Sequence, residues 1–339
     1  MNAWVSLLTA LVAVGALAAI SWLGVTAIGL QSVFGIYIPY IAIAIFLVGV
    51  VGRIIGWARV PVPFRIPTTC GQAKSLPWIK ADNLESPYNR IGLIGRMALE
   101  VLLFRSLFRN TRAELREGPK ITYASAKWLW LFDILFHYSF LIIVVRHLRF
   151  FMEPIPSFVD ALSSVDGFFQ IMVPTIFLTD IFFLGAVTYL FLRRVALPQV
   201  RYISLPADYF ALFLILGIGL SGVLMRQVLK VDLLSVKKLA MSIFTLHPIP
   251  PADPMLAGIG PIFYVHVFLV SVLIAYLPFS KIMHAGGVFL SPTRNMMNVN
   301  RMERYVNPWN YPVKVHTYEE YEDEFRGKMK EAGIPVDKE

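Results

Sequence analysis

The first 52 residues of the chain contain no charged side chain. An apolar run of this length exceeds the roughly 20 residues that cross a bilayer once, and it fits two helices joined by a short turn. Hydrophobic residues make up 57% of the 339 residues and charged residues only 16%, which is unlike a soluble globular domain and excludes intrinsic disorder. The sequence therefore predicts a polytopic membrane protein.

Six apolar segments are long enough to span a membrane as helices. We place them at 3–28, 36–57, 127–150, 168–192, 208–226 and 257–281. The predicted fold class is all-α, a bundle of about six transmembrane helices. The chain then divides into two amino-terminal transmembrane helices (1–58), a loop with an amphipathic helix (59–126), a four-helix core (127–284) and a docking tail (285–339).

The basic residues predict the orientation of the bundle. Lys and Arg number thirteen in 53–127, three in 193–206 and nine from Lys281 onward, against none in 29–36, none in 151–167 and four in 226–256. Because cytoplasmic loops carry the excess of Lys and Arg, we expect both termini and the long loop on the cytoplasmic side of the cell membrane. The net charge of +9 then reflects these loops rather than nucleic-acid binding.

The long loop and the tail have different patterns. Residues 89–117 resemble one amphipathic helix, whose apolar residues recur at helical spacing: Ile91, Ile94, Ala98, Val101, Leu102 and Phe108. Two interpretations stay open, a basic helix lying on anionic lipid and a surface helix packed on the neighbouring loop. The tail is too short and aperiodic to form a domain, so we interpret it as an arm that docks a partner.

Four of the six histidines lie in or beside two predicted spans. His137 and His147 are ten residues apart on one helix, and His266 and His284 are eighteen apart at the other. Eighteen residues make five full turns, and ten leave a rotation of about 80°, so each pair shares one side of its helix. Since the helices run antiparallel, we expect His137 beside His284 at the inner end and His147 beside His266 at the outer end.

Two bis-histidine b-type haems, one inner and one outer, account for all four histidines as ligands of haem iron. The separations along the helices differ, about 15 Å against about 27 Å, and Pro278 is expected to kink or end the second helix and bring His284 back. Zinc is a poor alternative because neither pair has a third suitable ligand nearby. The chain has a single cysteine, Cys70, so it cannot form a disulfide within itself or hold an iron–sulfur cluster alone. Cys70 fits a small buried hydrophobic residue as well as a reactive thiol.

A His-x9-His helix followed three spans later by a His-x17-His helix resembles the gamma subunit of respiratory nitrate reductase, a dihaem cytochrome b. The segments PFRIPTTCGQAKSLPWIK, EVLLFRSLFRNTRAELREG and SPTRNMMNVNRMERYVNPWNYPV resemble the membrane cytochromes (DsrM) of sulfite-reductase-associated (Dsr) complexes. The resemblance implies menaquinone or menaquinol as substrate and a cytoplasmic iron–sulfur partner like the catalytic subunit of heterodisulfide reductase. It also implies a role in dissimilatory sulfur metabolism, and further membrane and periplasmic electron-transfer subunits.

Several polar residues near the predicted haems are weaker candidates. Asp166 and Gln170 at the start of the fourth span are candidates for a quinol site. Arg146 and Arg149 flank His147 and are candidates for contacts to haem propionates, although snorkelling to the interface explains them nearly as well.

Two aspartates and a glycine motif complete the candidates. Asp133 and Asp180 are expected either to hold a ligand histidine, to carry protons, or to pair with a polar group on a neighbouring helix. Gly217, Gly219 and Gly222 form a G-x-G-x-x-G motif inside a span, which favours close helix or porphyrin approach over nucleotide binding.

The function predicted from these features is that of an electron-transfer subunit of a quinol-dependent oxidoreductase. Menaquinol would meet the outer haem, and the cytoplasmic partner would meet the inner one. The sequence leaves the direction of electron flow open. The alternative function is a haem-free membrane transporter or anchor subunit. Transporters often contain internal repeats, and this sequence shows no convincing repeat.

Overall fold

The computed structural model describes residues 3–60, 71–118, 120–167, 174–303 and 312–338. Its longer helices are α1 (Ala3–Ile28), α2 (Ile38–Ala58), α3 (Arg90–Leu103), α5 (Lys127–His147), α6 (Ser157–Asp166), α7 (Leu178–Ala196), α9 (Pro206–Val223), α10 (Leu233–Phe244), α12 (Pro261–Tyr276) and α15 (Tyr318–Glu331). The short helices are α4 (Arg105–Phe108), α8 (Pro198–Tyr202), α11 (Pro254–Gly258), α13 (His284–Leu290) and α14 (Pro292–Asn295). Strands β1 (Thr111–Arg116) and β2 (Lys120–Ser125) form an antiparallel hairpin.

Within the described residues, five helices are long and apolar enough to cross a membrane. With their flanking turns they run over Ala3–Ile28, Val33–Ala58, Lys127–Phe150, Pro206–Val228 and Pro261–Phe279. Five of the predicted spans are thereby confirmed as candidate spans. The predicted fourth span corresponds to α7, which carries Asp180, Arg193 and Arg194 within 19 residues and is less apolar than the others.

The helices pack in one continuous series, α5 on α7, α7 on α9, α9 on α1 and α12, and α12 on α2. Leu214, Val265 and Leu269 are buried where α9 meets α12. Tyr264, Leu239 and other buried side chains form a second cluster between α12, α10 and the start of α2. Many large apolar side chains of α1 and α2 are exposed, which is the pattern of helices that face lipid.

Two predicted boundaries were wrong. The helix predicted over 89–117 ends at Leu103, because Phe104 adopts a left-handed conformation (φ 49°), and the chain continues into β1. The fourth span, predicted from 168, begins as α7 at Leu178, and a separate helix, α6, precedes it; residues 168–173 lie outside the described part of the chain. Local turn geometry sets these boundaries, and hydrophobic periodicity does not report it.

The last predicted span, 257–281, is divided into short pieces. Helix α12 starts at Pro261 and ends at Tyr276, and a 3-10 turn containing Pro278 follows it. Proline lacks the N–H that would continue the helix. A second 3-10 turn, begun by the Ser280 side chain accepting from the Ile282 N–H, leads into α13.

The tail forms a capped helix, α15, which the aperiodic sequence did not predict. Thr317 and Glu320 form a reciprocal capping box at its start. The Glu322 side chain is buried and accepts the N–H groups of Asp337 and Lys338, which fold back over it. Burial alone would raise the pKa of Glu322, but these N–H donors and Arg326 outweigh burial and hold the pKa below its usual range.

Close packing against Phe183 explains why one position of the glycine motif, Gly219, has no side chain. A Cβ at this position would lie 2.5 Å from Cε1 of Phe183, whose ring stacks on Phe136 and Phe140 of α5. We expect Gly219→Ala to lower the free energy of unfolding by about 1–3 kcal/mol, because the ring must move out of a packed stack. Gly185→Ala on α7 is the control, since no atom lies within 4 Å of its added Cβ. Equal thermal midpoints for both variants in detergent would contradict this reading.

Candidate functional site

The four histidines in or beside the candidate spans form two pairs. The ring centroids of His137 and His284 are 6.1 Å apart, and those of His147 and His266 are 6.4 Å apart. The rings of the first pair are steeply inclined at 78°, whereas those of the second are nearly parallel at 12°. The structure thus brings together the histidines that antiparallel helices were expected to pair.

Helix geometry places each histidine. His137 lies in the middle of α5 and His147 is its last residue, while His266 lies one and a half turns into α12. His284 begins α13, after the chain has turned at Pro278. The break in the helix therefore brings His284 level with His137, as the mismatch in spacing required.

Each of the four imidazoles has its Nδ1 held by a hydrogen bond. The four Nδ1 atoms lie 2.7–2.9 Å from the oxygen atoms that accept their hydrogen bonds. The acceptors are the Asp133 carbonyl for His137, the Ile143 carbonyl for His147, the Ser221 hydroxyl for His266 and the Lys281 carbonyl for His284. Ser221 donates its own proton to the Ile218 carbonyl, so its oxygen accepts from His266. Such bonds fix the tautomer in which Nε2 is the free lone pair, as in metal-ligating histidines.

The centroid separations within the pairs are compatible with two imidazoles that share one metal ion. Two metal–nitrogen bonds of about 2 Å, with roughly 1 Å from each nitrogen to its ring centre, would account for up to about 6 Å between the centroids. In the described parts of the chain, no three His, Cys, Asp or Glu side chains converge on a point. A haem needs only two protein ligands because the porphyrin supplies four nitrogens. The donor set therefore fits haem and does not fit a bare metal ion.

Aromatic and small residues surround the pairs. The rings of Phe104 and Phe136 meet the His137 ring edge to face, each with centroids 4.9 Å apart. Phe150 lies 5.9 Å from His147. Gly222 leaves its face of α9 open beside His266, where an added Cβ would lie 3.4 Å from Cε1. Flat apolar walls and a missing side chain are what a porphyrin requires on a helix surface.

A buried charge cluster lies at the carboxyl-terminal end of α5. The Arg146 guanidinium lies 2.7 Å from Oδ1 of Asp180 and 3.1 Å from Oδ2 of Asp166, the latter as an ion pair rather than a directed hydrogen bond. Asp166 also accepts the backbone N–H and the hydroxyl of Thr179. Arg146 further stacks on Phe177 at 3.7 Å. Each oxygen of Asp166 thus accepts one hydrogen bond from Thr179, and Oδ2 also lies against Arg146.

Asp180 differs from Asp166 in having one carboxylate oxygen without a hydrogen-bond donor in the described structure. Its Oδ1 binds Arg146, and among the described residues no donor binds Oδ2. Its side chain keeps 18% of its surface exposed, against 4% for Asp166. Asp180 is ion-paired with Arg146, the residue that precedes His147 in the chain. Asp180 is therefore the carboxylate at this end that a further ligand can reach.

Two polar side chains, Arg226 and Gln227, lie at the edge of this cluster, which we call its rim. Arg226 and Gln227, in the turn that follows α9, both donate to the Thr175 carbonyl. The Oε1 of Gln227 and the Nε of Arg149 are buried without a partner in the described structure. Sequence reasoning missed Arg226 and Gln227, because only the fold brings the end of α9 next to α7.

The structure shows the hydrogen-bond and ion-pair partners of the remaining sequence candidates. Neither the Asp133 nor the Asp180 carboxylate accepts a ring hydrogen from the four histidines, since backbone carbonyls, including that of Asp133, and the Ser221 hydroxyl do so instead. Arg149 donates to the Ser163 hydroxyl, and Arg146 is occupied by two carboxylates. Contacts of either arginine to a propionate stay predictions. Gln170 and Cys70 lie outside the described residues.

The sequence profile of the family described as "Nitrate reductase gamma subunit" matches residues 97–302. The matched stretch exceeds half of the chain and contains both histidine pairs. The chain belongs to this family. Helices α1 and α2 precede the stretch that matches the nitrate reductase gamma subunit family, and α15 follows it.

Two relatives extend the similarity over most of the chain. Both are described as "Hdr-like menaquinol oxidoreductase cytochrome b-like subunit". The protein of Archaeoglobus fulgidus is 50% identical over 281 residues, which cover 82% of this chain and 83% of the relative. The protein of Archaeoglobus profundus is 45% identical over 277 residues, covering 80% of this chain and 81% of the relative.

Proposed function

We propose that the chain is a dihaem cytochrome b that exchanges electrons between menaquinol and an iron–sulfur partner subunit. His137 and His284 would hold the inner haem, and His147 and His266 the outer one. The observation that carries the proposal is the pair of imidazole separations, 6.1 and 6.4 Å, with all four Nδ1 atoms already hydrogen bonded. The description of the relatives as menaquinol oxidoreductase subunits supports the choice of substrate.

Haem would supply one-electron centres, which suit a quinol that gives up two electrons and two protons. The chain's own residues must then bind the two hydroxyl groups and receive the protons. Asp180 offers a free carboxylate oxygen beside His147, and Gln227 offers a buried free carbonyl oxygen on the same rim. We place the quinol here, at the outer end of α5 and α7, with Asp180 as proton acceptor.

Asp166 receives a positioning role in this proposal. Its two oxygens bind Thr179 and Arg146, so it holds Arg146 against Asp180. The guanidinium orients the Asp180 carboxylate through the ion pair that it forms with Oδ1. Gln170 stays a candidate of the same site by its place in the sequence.

The direct test of this function is reduction by a menaquinol analogue, followed in the visible spectrum of the purified chain. We expect the α band of a b-type cytochrome to appear on addition of the quinol. A chain that binds haem and stays oxidised would contradict menaquinol as substrate, and a chain without a visible spectrum would favour the transporter or anchor alternative.

We further propose that the long loop and the tail face the cytoplasm and dock an iron–sulfur subunit resembling the catalytic subunit of heterodisulfide reductase. These segments contain 22 of the 31 Lys and Arg residues, counted over 53–127 and from Lys281 onward. This orientation requires α7 to cross the membrane as the sixth span. The place in sulfur metabolism, and the further membrane and periplasmic subunits, rest on the resemblance to the Dsr cytochromes.

Crosslinking of the intact complex tests the docking proposal. Lys74, Lys80 and Lys314 are exposed, and Trp78 keeps 78% of its surface accessible. We expect amine-reactive crosslinks from these lysines to the iron–sulfur subunit, and none from Lys230, which is exposed on the opposite side of the bundle in the proposed orientation. Crosslinks from Lys230 to that subunit, or crosslinks confined to this chain, would contradict it. Trp309, also in the tail, lies outside the described residues.

A further inference from the structure

Helix α3 is amphipathic with its polarity reversed. Its buried side chains are polar, Arg96 and Glu100, which are 5% and 8% exposed. Its outward stripe is apolar, with Ile91, Ile94 and Leu102 exposed by 83%, 69% and 54%. These three residues recur at helical spacing along about 16 Å of helix. A stripe of this kind needs apolar surroundings outside the chain.

The buried polar face is satisfied, so the orientation of α3 is determined by its own bonds. Arg96 donates to the Glu85 carbonyl at 2.8 Å. Glu100 accepts the backbone N–H and the hydroxyl of Ser106, and Arg294 lies 3.7 Å from it. Turning the apolar stripe inward would leave these charged groups without partners.

The end of α3 lies beside a membrane-spanning helix. Trp130 and Tyr138 of α5 donate to the carbonyls of Leu103 and Leu102, each at 2.8 Å. Helix ends in lipid must bond within the protein because no water is present to accept or donate. The next residue, Phe104, contacts the His137 ring. The carboxyl end of α3 is thus at the depth of the first three turns of α5, within the thickness of the bilayer.

An apolar groove runs beside the stripe, between α3 and the segment around α13 and α14. It is open to the surface, has a volume of about 370 Å³ and is lined mainly by Leu93, Ile94, Met97, Val101, Leu102 and Phe289. A second groove of about 380 Å³ shares Leu93 and Ile94 with it and extends to Arg90, the charged residue among those that line the two. The two grooves together have one cationic end and one apolar end.

We propose that this groove binds an anionic phospholipid of the leaflet that contains α3, with its phosphate at Arg90 and an acyl chain along Ile94 and Leu102. The stripe ends at Leu102, whose carbonyl binds Tyr138 of α5, and Leu141 and Val144, in the turns of α5 that follow Tyr138, are 55% and 48% exposed. This continuity with the lipid-facing surface favours lipid over a protein partner. The proposal does not depend on haem, quinol or the docking of the iron–sulfur subunit.

A spin label on α3 tests the lipid environment. The full-length chain carries Ile94→Cys with Cys70→Ser, and it is placed in nanodiscs of phosphatidylcholine and phosphatidylglycerol in equal amounts. We expect the nitroxide to collide several times more often with oxygen than with a water-soluble nickel complex. Lys330→Cys on α15, exposed and far in sequence from α3, is the control and should show the reverse order. A label at Ile94→Cys that is open to nickel in nanodiscs and shielded only when a partner subunit is added would overturn the lipid proposal in favour of protein docking.

Substitution of the charged end tests the headgroup. Arg90→Gln is expected to lower the phosphatidylglycerol retained per chain in native mass spectrometry at least twofold. Arg301→Gln, an exposed arginine that does not line the groove, should leave retention unchanged. Equal retention by the wild-type chain and Arg90→Gln would overturn the assignment of the phosphate to Arg90.

Discussion

Replacing His147 with alanine is expected to remove half of the haem from the purified chain. In the account above, His147 and His266 hold one iron, so loss of either imidazole empties that site while the His137 and His284 site stays filled. His266→Ala should give the same loss, and the double variant no more, because the two residues act as one unit. Pyridine haemochrome content and the low-temperature α band measure the result.

The control for this substitution is His247→Ala, since His247 is an exposed loop residue that bonds only locally. It should retain full haem content. A crossed pattern, in which His147→Ala and His284→Ala behave as one site, would contradict the pairing. If both single variants lose all haem and fail to fold, the conservative His147→Met separates loss of the ligand from loss of the fold, because methionine is also a haem-ligating side chain.

Asp180→Asn is expected to slow reduction by a menaquinol analogue about a hundredfold, with haem content unchanged. The substitution keeps the shape of the side chain and removes the proton acceptor, and general-base groups contribute about that factor or more. Stopped-flow absorbance at the α band measures the rate. The rate should recover in Asp180→Glu in part, because a carboxylate is restored at a shifted position.

Two matched variants separate proton transfer from structure. Asp160→Asn, on the exposed face of α6, should change neither rate nor stability. Asp166→Asn should lower thermal stability, because Asp166 is buried and holds both Thr179 and Arg146. Unchanged rates in both Asp180→Asn and Gln170→Ala would contradict the outer site and move the quinol towards Asp133.

The arrangement of the histidines could be anticipated from the sequence because it depends on two regular quantities, the turn of the helix and the direction of the chain. Ten- and eighteen-residue spacings fix which faces the rings share. The effect of Pro278 was also predictable, since proline ends a helix for a local reason.

The remaining features depend on contacts between distant segments. Ser221 binds His266 across 45 residues, and Trp130 binds Leu103 across 27. The sequence does not determine the orientation of α3, because it shows an apolar and a charged face without showing which one the protein covers. The sequence indicates Asp166 as a candidate for the quinol site and does not report that the fold sets it against Thr179 and Arg146. Its part in quinol binding stays a prediction.

The central claim is that this chain holds two haems through two histidine pairs. The measurement that tests it most directly is the ratio of haem to protein, by pyridine haemochrome and quantitative amino-acid analysis of the purified full-length chain. The account predicts two b-type haems per chain, and one in His147→Ala. A wild-type ratio of one or none would contradict it.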